Sequence, residues 1–447
     1  MSAAHTPRLW TLAGNANELA PLLRQPGNAK AQRPALLCLN RQEAATLLGL
    51  PALDSPEAVL QAAASLRTAG CEAVVITGDD ADYADTPQAS GWLSPSVTAG
   101  PHKSHPDADA VFANAAAQAL ARGFVAMEAI ILACMARADA LSQHTGGGPL
   151  QPRPDFAQHS ANLPSFSLPQ ATSVSGFAAL SNAELGLYAV VDSAAWVARV
   201  VAAGVRTVQL RIKMAPTLVA SRTALAHTLV ASLTALPPEG TLAPWDGPTP
   251  LDAEGAEHRA MVRAQIRQSI HAATAAGAQL FINDHWQLAI EEGAYGVHLG
   301  QEDLHIADLA ALAKAGLRLG ISTHAYWEVC RAWALQPSYI ACGPIHPTQA
   351  KAMPWVPQGN GNLAYWCKLL PTPVVGIAGM DVARAEQAAA CGAAGVAVIS
   401  AITAAASPEA AIAELQQALQ RGRSGPAAAA PLQPKPTLAP TRNRNTP

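Results

Sequence analysis

Between Leu185 and Thr403 the chain repeats one pattern: a short apolar run rich in Val and Ile, then a longer Ala-rich stretch. The runs are Leu185–Asp192, Thr207–Ile212, Leu280–Asp284, Gly296–Gly300, Leu319–Thr323, Tyr339–Gly343, Val374–Gly379 and Gly395–Ser400. Such runs read as strands, and the stretches between them as helices. Eight strands alternating with helices over about 240 residues match a (β/α)8 barrel, the TIM barrel of the α/β class. An open doubly wound sheet is the competing arrangement, and the even spacing favours closure. Polar residues collect where the runs end: Gln209, Arg211 and Lys213; Asn283 and Asp284; Ser322 and Thr323; Ser400. In a barrel all those ends converge on one face, where such folds hold their active sites.

Composition narrows the partners. With 29 Lys plus Arg against 32 Asp plus Glu, the net charge is −3, and only 14% of the 447 residues are charged. No basic field exists to attract nucleic acid or an anionic membrane. Half of the residues are hydrophobic, which excludes a wholly disordered chain. The most apolar run, Gly123 to Ala136, is too short to span a bilayer and carries Glu128. The first ten residues hold no apolar core of a secretory signal. Seven scattered cysteines, with no Cys-x-x-Cys pair, fit neither a disulfide framework nor a zinc site. A cytoplasmic protein acting on small molecules is expected, and a homo-oligomer is compatible with the chain.

The strand ends carry specific chemistry. In Gln209-Leu210-Arg211-Ile212-Lys213, strand periodicity puts Gln209, Arg211 and Lys213 on one side. Two cations at a barrel mouth are costly unless a polyanion neutralises them, and an Arg fork with a Lys point charge suits phosphate or pyrophosphate. An ion pair of Arg211 with Asp284 is the plainer alternative. Asp284 and Asp303 follow the third and fourth strands, and two carboxylates there suit Mg²⁺ completed by water and phosphate oxygens. General acid/base catalysis is the rival reading, without a catalytic His or Cys partner evident from spacing, and either Asp could instead cap a helix. After the sixth strand, the segment from Gly343 to Lys351 supplies the Thr348 hydroxyl and a third cation, Lys351. Gly379 and Ile399-Ser400 end the last two strands, where backbone N–H groups commonly cradle phosphate in this fold. Two anion sites and a metal pair on one face suggest the joining of two phosphorylated substrates.

The stretch from Leu185 to about Thr403 resembles thiamine-phosphate synthase. The motifs that carry the resemblance are QLRIK (209–213), FINDHW (281–286), YGVHLGQEDL (295–304), LGISTH (319–324), GPIHPTQAK (343–351) and GVAVISAI (395–402), in the family's order. The resemblance implies a Mg²⁺-dependent transferase that joins hydroxymethylpyrimidine diphosphate to a thiazole phosphate, or its carboxylate, and releases pyrophosphate. By motif, Gln209, Arg211, Lys213, Asn283 and Lys351 would hold the pyrimidine diphosphate, with Ser322 beside the pyrimidine. Arg211, Lys213 and Lys351 would assist the leaving group, and Asp284 and Asp303 would hold the metal. Thr348, Gly379, Ile399 and Ser400 would hold the thiazole phosphate. Ala350 stands on that side where the family usually has a second Thr, and Ala378 where it usually has a Gly.

Residues 35–50, 72–79 and 107–140 resemble part of hydroxymethylpyrimidine-phosphate kinase, a ribokinase-like fold. The family's Gly-x-Gly-Cys anion loop falls on Asp107-Ala108-Asp109-Ala110, where two carboxylates would repel phosphate. A degenerate, non-kinase domain is therefore expected, with a structural platform for the barrel or a dimer interface as the plainer reading. The organisation read from sequence is a truncated kinase-like α/β domain over 1–142, a linker over 143–184, the barrel over 185–420 and a disordered tail over 421–447. A bifunctional kinase–synthase and a non-catalytic sensor of thiamine precursors are the alternatives.

Overall fold

A computed structural model describes residues 9–11, 19, 34–98, 105–146, 148–168, 174, 176–212, 253–348 and 355–439. Lys213, Ala350 and Lys351 lie outside the described residues, as do residues 234–252, part of a stretch over 234–256 whose Pro and Gly content reads as a surface loop.

The eight expected strands are present in order and close into a parallel barrel. They are β7 (Gly186–Val191), β8 (Thr207–Leu210), β9 (Gln279–Asn283), β10 (Gly296–Leu299), β11 (Arg318–Thr323), β12 (Tyr339–Cys342), β13 (Val374–Ile377) and β14 (Gly395–Val398). Closure is made by β14 on β7, with Gly395 opposite Gly186 and Ala397 opposite Tyr188. The two faces of each strand do different work. Leu187, Ala189, Val191, Val208, Leu210, Ile282 and Val297 join the core shared with the surrounding helices. Tyr188, Val190, Phe281, Tyr339, Ala341, Val375 and Ala397 form a separate cluster that fills the lumen. The barrel is thus a packed core, and its chemistry must sit at the strand ends.

The N-terminal unit holds a mixed sheet in the order β1 (Leu9–Thr11), β2 (Leu36–Asn40), β3 (Val74–Thr77), β4 (Asp82–Asp85), β5 (Ser90–Ser94), β6 (Ser165–Ser167). The first three strands run parallel and the rest antiparallel. Asn40 starts the following helix, Arg41–Leu48, through a capping box with Glu43. Between sheet and barrel lies the helix Ala126–Gln143, which grows from the apolar run noted in the sequence and is buried along most of its length. A helix that is apolar all round belongs in a core. Among the described residues, no helix is long and apolar enough to cross a membrane.

Two expectations are corrected. The stretch 143–184 is not simply a linker, because β6 within it pairs with β5, Phe166 opposite Leu93. It is fixed through Asp139, whose buried carboxylate accepts from Arg153 N at 2.8 Å and Asn162 Nδ2 at 3.0 Å. Burial alone would raise that carboxyl, and the Arg153 and Asn162 hydrogen bonds bring it below its ordinary value. The tail is not disordered over its described part either. Arg421 and Arg423 lie in the last helix, Pro408–Ser424, and beyond an exposed stretch the chain from Pro431 to Leu438 is held against the rest of the protein, with Thr437 fully buried. A Pro/Ala-rich segment cannot make a core of its own, but its backbone can be satisfied by the surfaces of two other units.

Candidate active site

The floor of the site is a plug of rings. Phe281 lies 5.0 Å from Tyr339 and 6.0 Å from Tyr188 between centroids. Gly320, on the neighbouring strand, makes the space: a Cβ there would come within 2.1 Å of the Tyr339 ring. Above the rings runs a chain of hydrogen bonds across the lumen. Gln209 Nε2 donates to the Tyr188 hydroxyl at 3.3 Å, and the Tyr188 and Tyr339 hydroxyls meet at 2.7 Å. His298 Nδ1 pairs with the Tyr339 hydroxyl, and its Nε2 with Ser322 Oγ, both at 2.7 Å.

Electrostatics fixes the protonation of this chain. Burial, with help from the charges of Arg211 and His324, pushes the His298 pKa down to about 3. The ring is therefore neutral at working pH, one nitrogen donating and the other accepting. Burial also raises both tyrosines well above their ordinary values, so they stay protonated. The network is uncharged and holds Gln209 and Ser322, from β8 and β11, in one arrangement.

Around this floor stand the residues expected from sequence. Gln209 is buried on β8, and Arg211 follows the end of that strand with an exposed side chain and its N–H bonded to Val191 O at 2.7 Å. Asn283 is the buried last residue of β9, opposite His298. Asp284 comes next with φ 60°, its N–H donating to His298 O at 3.1 Å. A left-handed backbone costs a non-glycine residue about 1–2 kcal/mol, and such strain concentrates at functional positions. Asp303 lies in the turn after β10 and accepts from Gly300 N at 3.2 Å through Oδ2. Ser322 is half-buried on β11, and its carbonyl accepts from Gln301 Nε2 at 2.8 Å.

The opposite side of the rim is built by the last loops. Thr348 lies in the loop after β12. Gly379 follows β13 with φ 66°, and a Cβ there would lie 2.6 Å from Pro347 O, so glycine lets the two loops meet. Ala378 beside it takes φ 82°, a conformation that its methyl strains and glycine would not. Arg384 Nη1 donates to Gly379 O at 2.7 Å and ties this loop to the next helix. Ile399 is exposed, and with Ser400 it begins the short helix Ser400–Thr403.

Every expected residue that is described thus lies in the last two residues of a barrel strand or in the segment that follows it. Among the described residues, no three His, Cys, Asp or Glu side chains gather as a metal cage. Asp284 and Asp303 follow the neighbouring strands β9 and β10, and each carries a carboxylate. Sequence reasoning missed the roles of Tyr188, Tyr339 and His298. The available signal was parity: each stands at an inward position of its strand, where a polar group must find a buried partner.

Comparisons with known proteins show what the barrel is similar to. Residues 252–402 match the family model described as thiamine monophosphate synthase. The thiamine-phosphate synthase of Yersinia pestis (strain Pestoides F) is 44% identical over 213 residues, covering 46% of this chain and 78% of that protein. That of Neisseria meningitidis serogroup A is 42% identical over 233 residues, covering 52% of this chain and 93% of that protein. Among solved structures, a thiamine phosphate pyrophosphorylase from Pyrococcus furiosus aligns with TM-score 0.39 and 22% identity over 54% of this chain and 97% of that one. A pyridoxal kinase from Staphylococcus aureus aligns with TM-score 0.28 and 23% identity over 34% and 57%.

Proposed function

The chain belongs to the thiamine-phosphate synthase family, a transferase family, and we propose that its barrel joins hydroxymethylpyrimidine diphosphate to a thiazole phosphate, releasing thiamine phosphate and pyrophosphate. The observation that carries this reading is the rim itself: Arg211 and two neighbouring strand-end carboxylates stand over an uncharged, hydrogen-bonded floor.

Gln209 and Ser322 offer the pyrimidine fixed polar groups, because the Tyr188–Tyr339–His298 chain holds both. Asn283 and Arg211 bind the diphosphate by hydrogen bond and charge. Lys213 and Lys351, outside the described residues, complete the cationic set. Asp284 and Asp303 would hold Mg²⁺, which when bound supplies neutralising charge to the leaving diphosphate. The C–O bond to the pyrimidine methylene breaks and its electron pair leaves with the diphosphate. The resulting cation is stabilised by the pyrimidine ring and captured by the thiazole nitrogen, which forms the new C–N bond. No protein nucleophile is needed, so the residues act by positioning and by stabilising charge. Thr348, Gly379, Ile399 and Ser400 hold the thiazole phosphate, with Ala350 contributing no hydroxyl there.

The seven cysteines, six of them buried, form no disulfide framework, which fits a reducing compartment, and we place the enzyme in the cytoplasm. Replacement of Arg211 by Ala tests the division of roles. It is expected to raise KM for the pyrimidine diphosphate and leave KM for the thiazole phosphate unchanged. The reverse pattern would refute the assignment.

A further inference from the structure

The described part of the C-terminal segment touches both units. It leaves the helix Pro408–Ser424, and Gln158 Nε2 donates to Pro431 O at 3.1 Å. Arg122 of the N-terminal unit donates to Gln433 Oε1. On the barrel, the fully buried Asn362 grips Lys435 from both sides: Nδ2 donates to Lys435 O at 3.0 Å, and Oδ1 accepts from Lys435 N at 2.7 Å. The Tyr326 hydroxyl also donates to Lys435 O, at 2.6 Å. Two residues on, Thr437 is fully buried, and its N–H (3.0 Å) and hydroxyl both donate to Glu128 Oε1 of the helix Ala126–Gln143. Glu128 is itself fully buried in that helix.

From this anchor the segment turns to the mouth of the barrel. Val356 N donates to Thr437 O at 2.8 Å, and Trp355 pairs with Leu438 in an antiparallel bridge. The Trp355 ring stacks on His324, with centroids 4.1 Å apart and planes 15° off parallel. His324 directly follows β11, two residues beyond Ser322. The other side of His324 is fixed as well. Its Nδ1 meets Glu328 Oε2 at 2.9 Å, its N–H donates to the same oxygen at 2.6 Å, and its carbonyl accepts from Gln358 Nε2 at 3.3 Å.

We propose that the C-terminal segment, anchored on Glu128 through Thr437, positions Trp355 against His324 and thereby holds the β11 end of the pyrimidine site. Glu128, Thr437 and Trp355 are positioning residues, and the N-terminal unit is part of the synthase site at second hand. This inference rests on the reading of Ser322 as a pyrimidine neighbour.

The test uses the full-length protein with Thr437→Val, Thr437→Ser, Trp355→Leu and the double variant Thr437→Val/Trp355→Leu. Valine keeps the shape of Thr437 and the backbone bonds while removing the hydroxyl. It is expected to raise KM for the pyrimidine diphosphate about three- to tenfold, with kcat and the thiazole KM within about twofold, as for a group that orients rather than reacts. Serine should restore the wild-type value. The double variant should be no worse than Trp355→Leu alone, because both act through one contact. A readout independent of turnover is the rate of His324 carbethoxylation by diethyl pyrocarbonate, mapped by mass spectrometry. Thr437→Val and Trp355→Leu should each speed it severalfold. If Thr437→Val does not fold, Trp355→Leu alone must give both signatures. An unchanged His324 rate, or an unchanged pyrimidine KM with only a lower Tm, would overturn the proposal. A wild-type protein without synthase activity would instead refute the functional reading, and the His324 rates would still decide this one.

Discussion

Replacing Glu128 by Gln should change how stability depends on pH. Glu128 is fully buried, and burial raises its pKa from 4.5 to about 7 against the opposing pull of the Thr437 hydrogen bonds. Between those two values the folded protein holds a proton that the unfolded chain has released, so stability falls as pH rises. The contribution is complete below about pH 4.5, is lost progressively up to about pH 7 and is constant above it. At 1.36 kcal/mol per pKa unit, the difference of about 2.5 units is worth about 3 kcal/mol. Glutamine is neutral throughout and keeps an acceptor for Thr437. Its amide also buries a donor where Glu128 Oε2 has no hydrogen-bond partner among the described residues, a cost that does not vary with pH. The informative quantity is therefore the change with pH of the wild-type-minus-variant difference. Urea unfolding followed by far-ultraviolet circular dichroism from pH 4.5 to 8 should show that difference moving by about 1 M in midpoint, for an m value of about 3 kcal/mol per M. Curves that stay parallel would show that Glu128 does not titrate in this window, and the reasoning would fail.

Asp284→Asn and Asp303→Asn should each lower synthase turnover by about 10²–10³ and shift the Mg²⁺ titration to higher concentration, measured by pyrophosphate release. His298 should remain neutral from pH 5 to 8 by ¹⁵N NMR of labelled histidine, since its pKa lies near 3. His298→Leu, which removes the ring partner of Ser322 Oγ and one of the two partners of the Tyr339 hydroxyl, should cost about 1–3 kcal/mol of stability and raise the pyrimidine KM. Ala378→Gly relieves the left-handed backbone at φ 82° and should raise stability by about 1 kcal/mol, read as a higher unfolding midpoint with KM for the thiazole phosphate unchanged or lower.

The barrel was legible because its strands are short, apolar and evenly spaced, and because βαβ units close in only a few ways. The rim residues were legible because each stands where an apolar run stops. The floor was not. That Tyr188, Tyr339 and His298 meet depends on the register of three strands far apart in sequence, and nothing local encodes it. The segments around Ser165 and Thr437 were misread for a related reason. Pro, Ala and Ser carry no periodicity, and their order comes from backbone groups satisfied by β5, Glu128 and Asn362. Local composition could not show that those partners would be near.

The most direct test of the central claim is one reaction, with thiamine phosphate and pyrophosphate quantified together from the purified full-length chain. With the pyrimidine diphosphate, the thiazole phosphate and Mg²⁺ all present, the two products should appear in equal amounts. Omitting either substrate should abolish both. Pyrophosphate released at the same rate without the thiazole phosphate would make the protein a hydrolase. Neither product from the complete mixture would contradict the account outright.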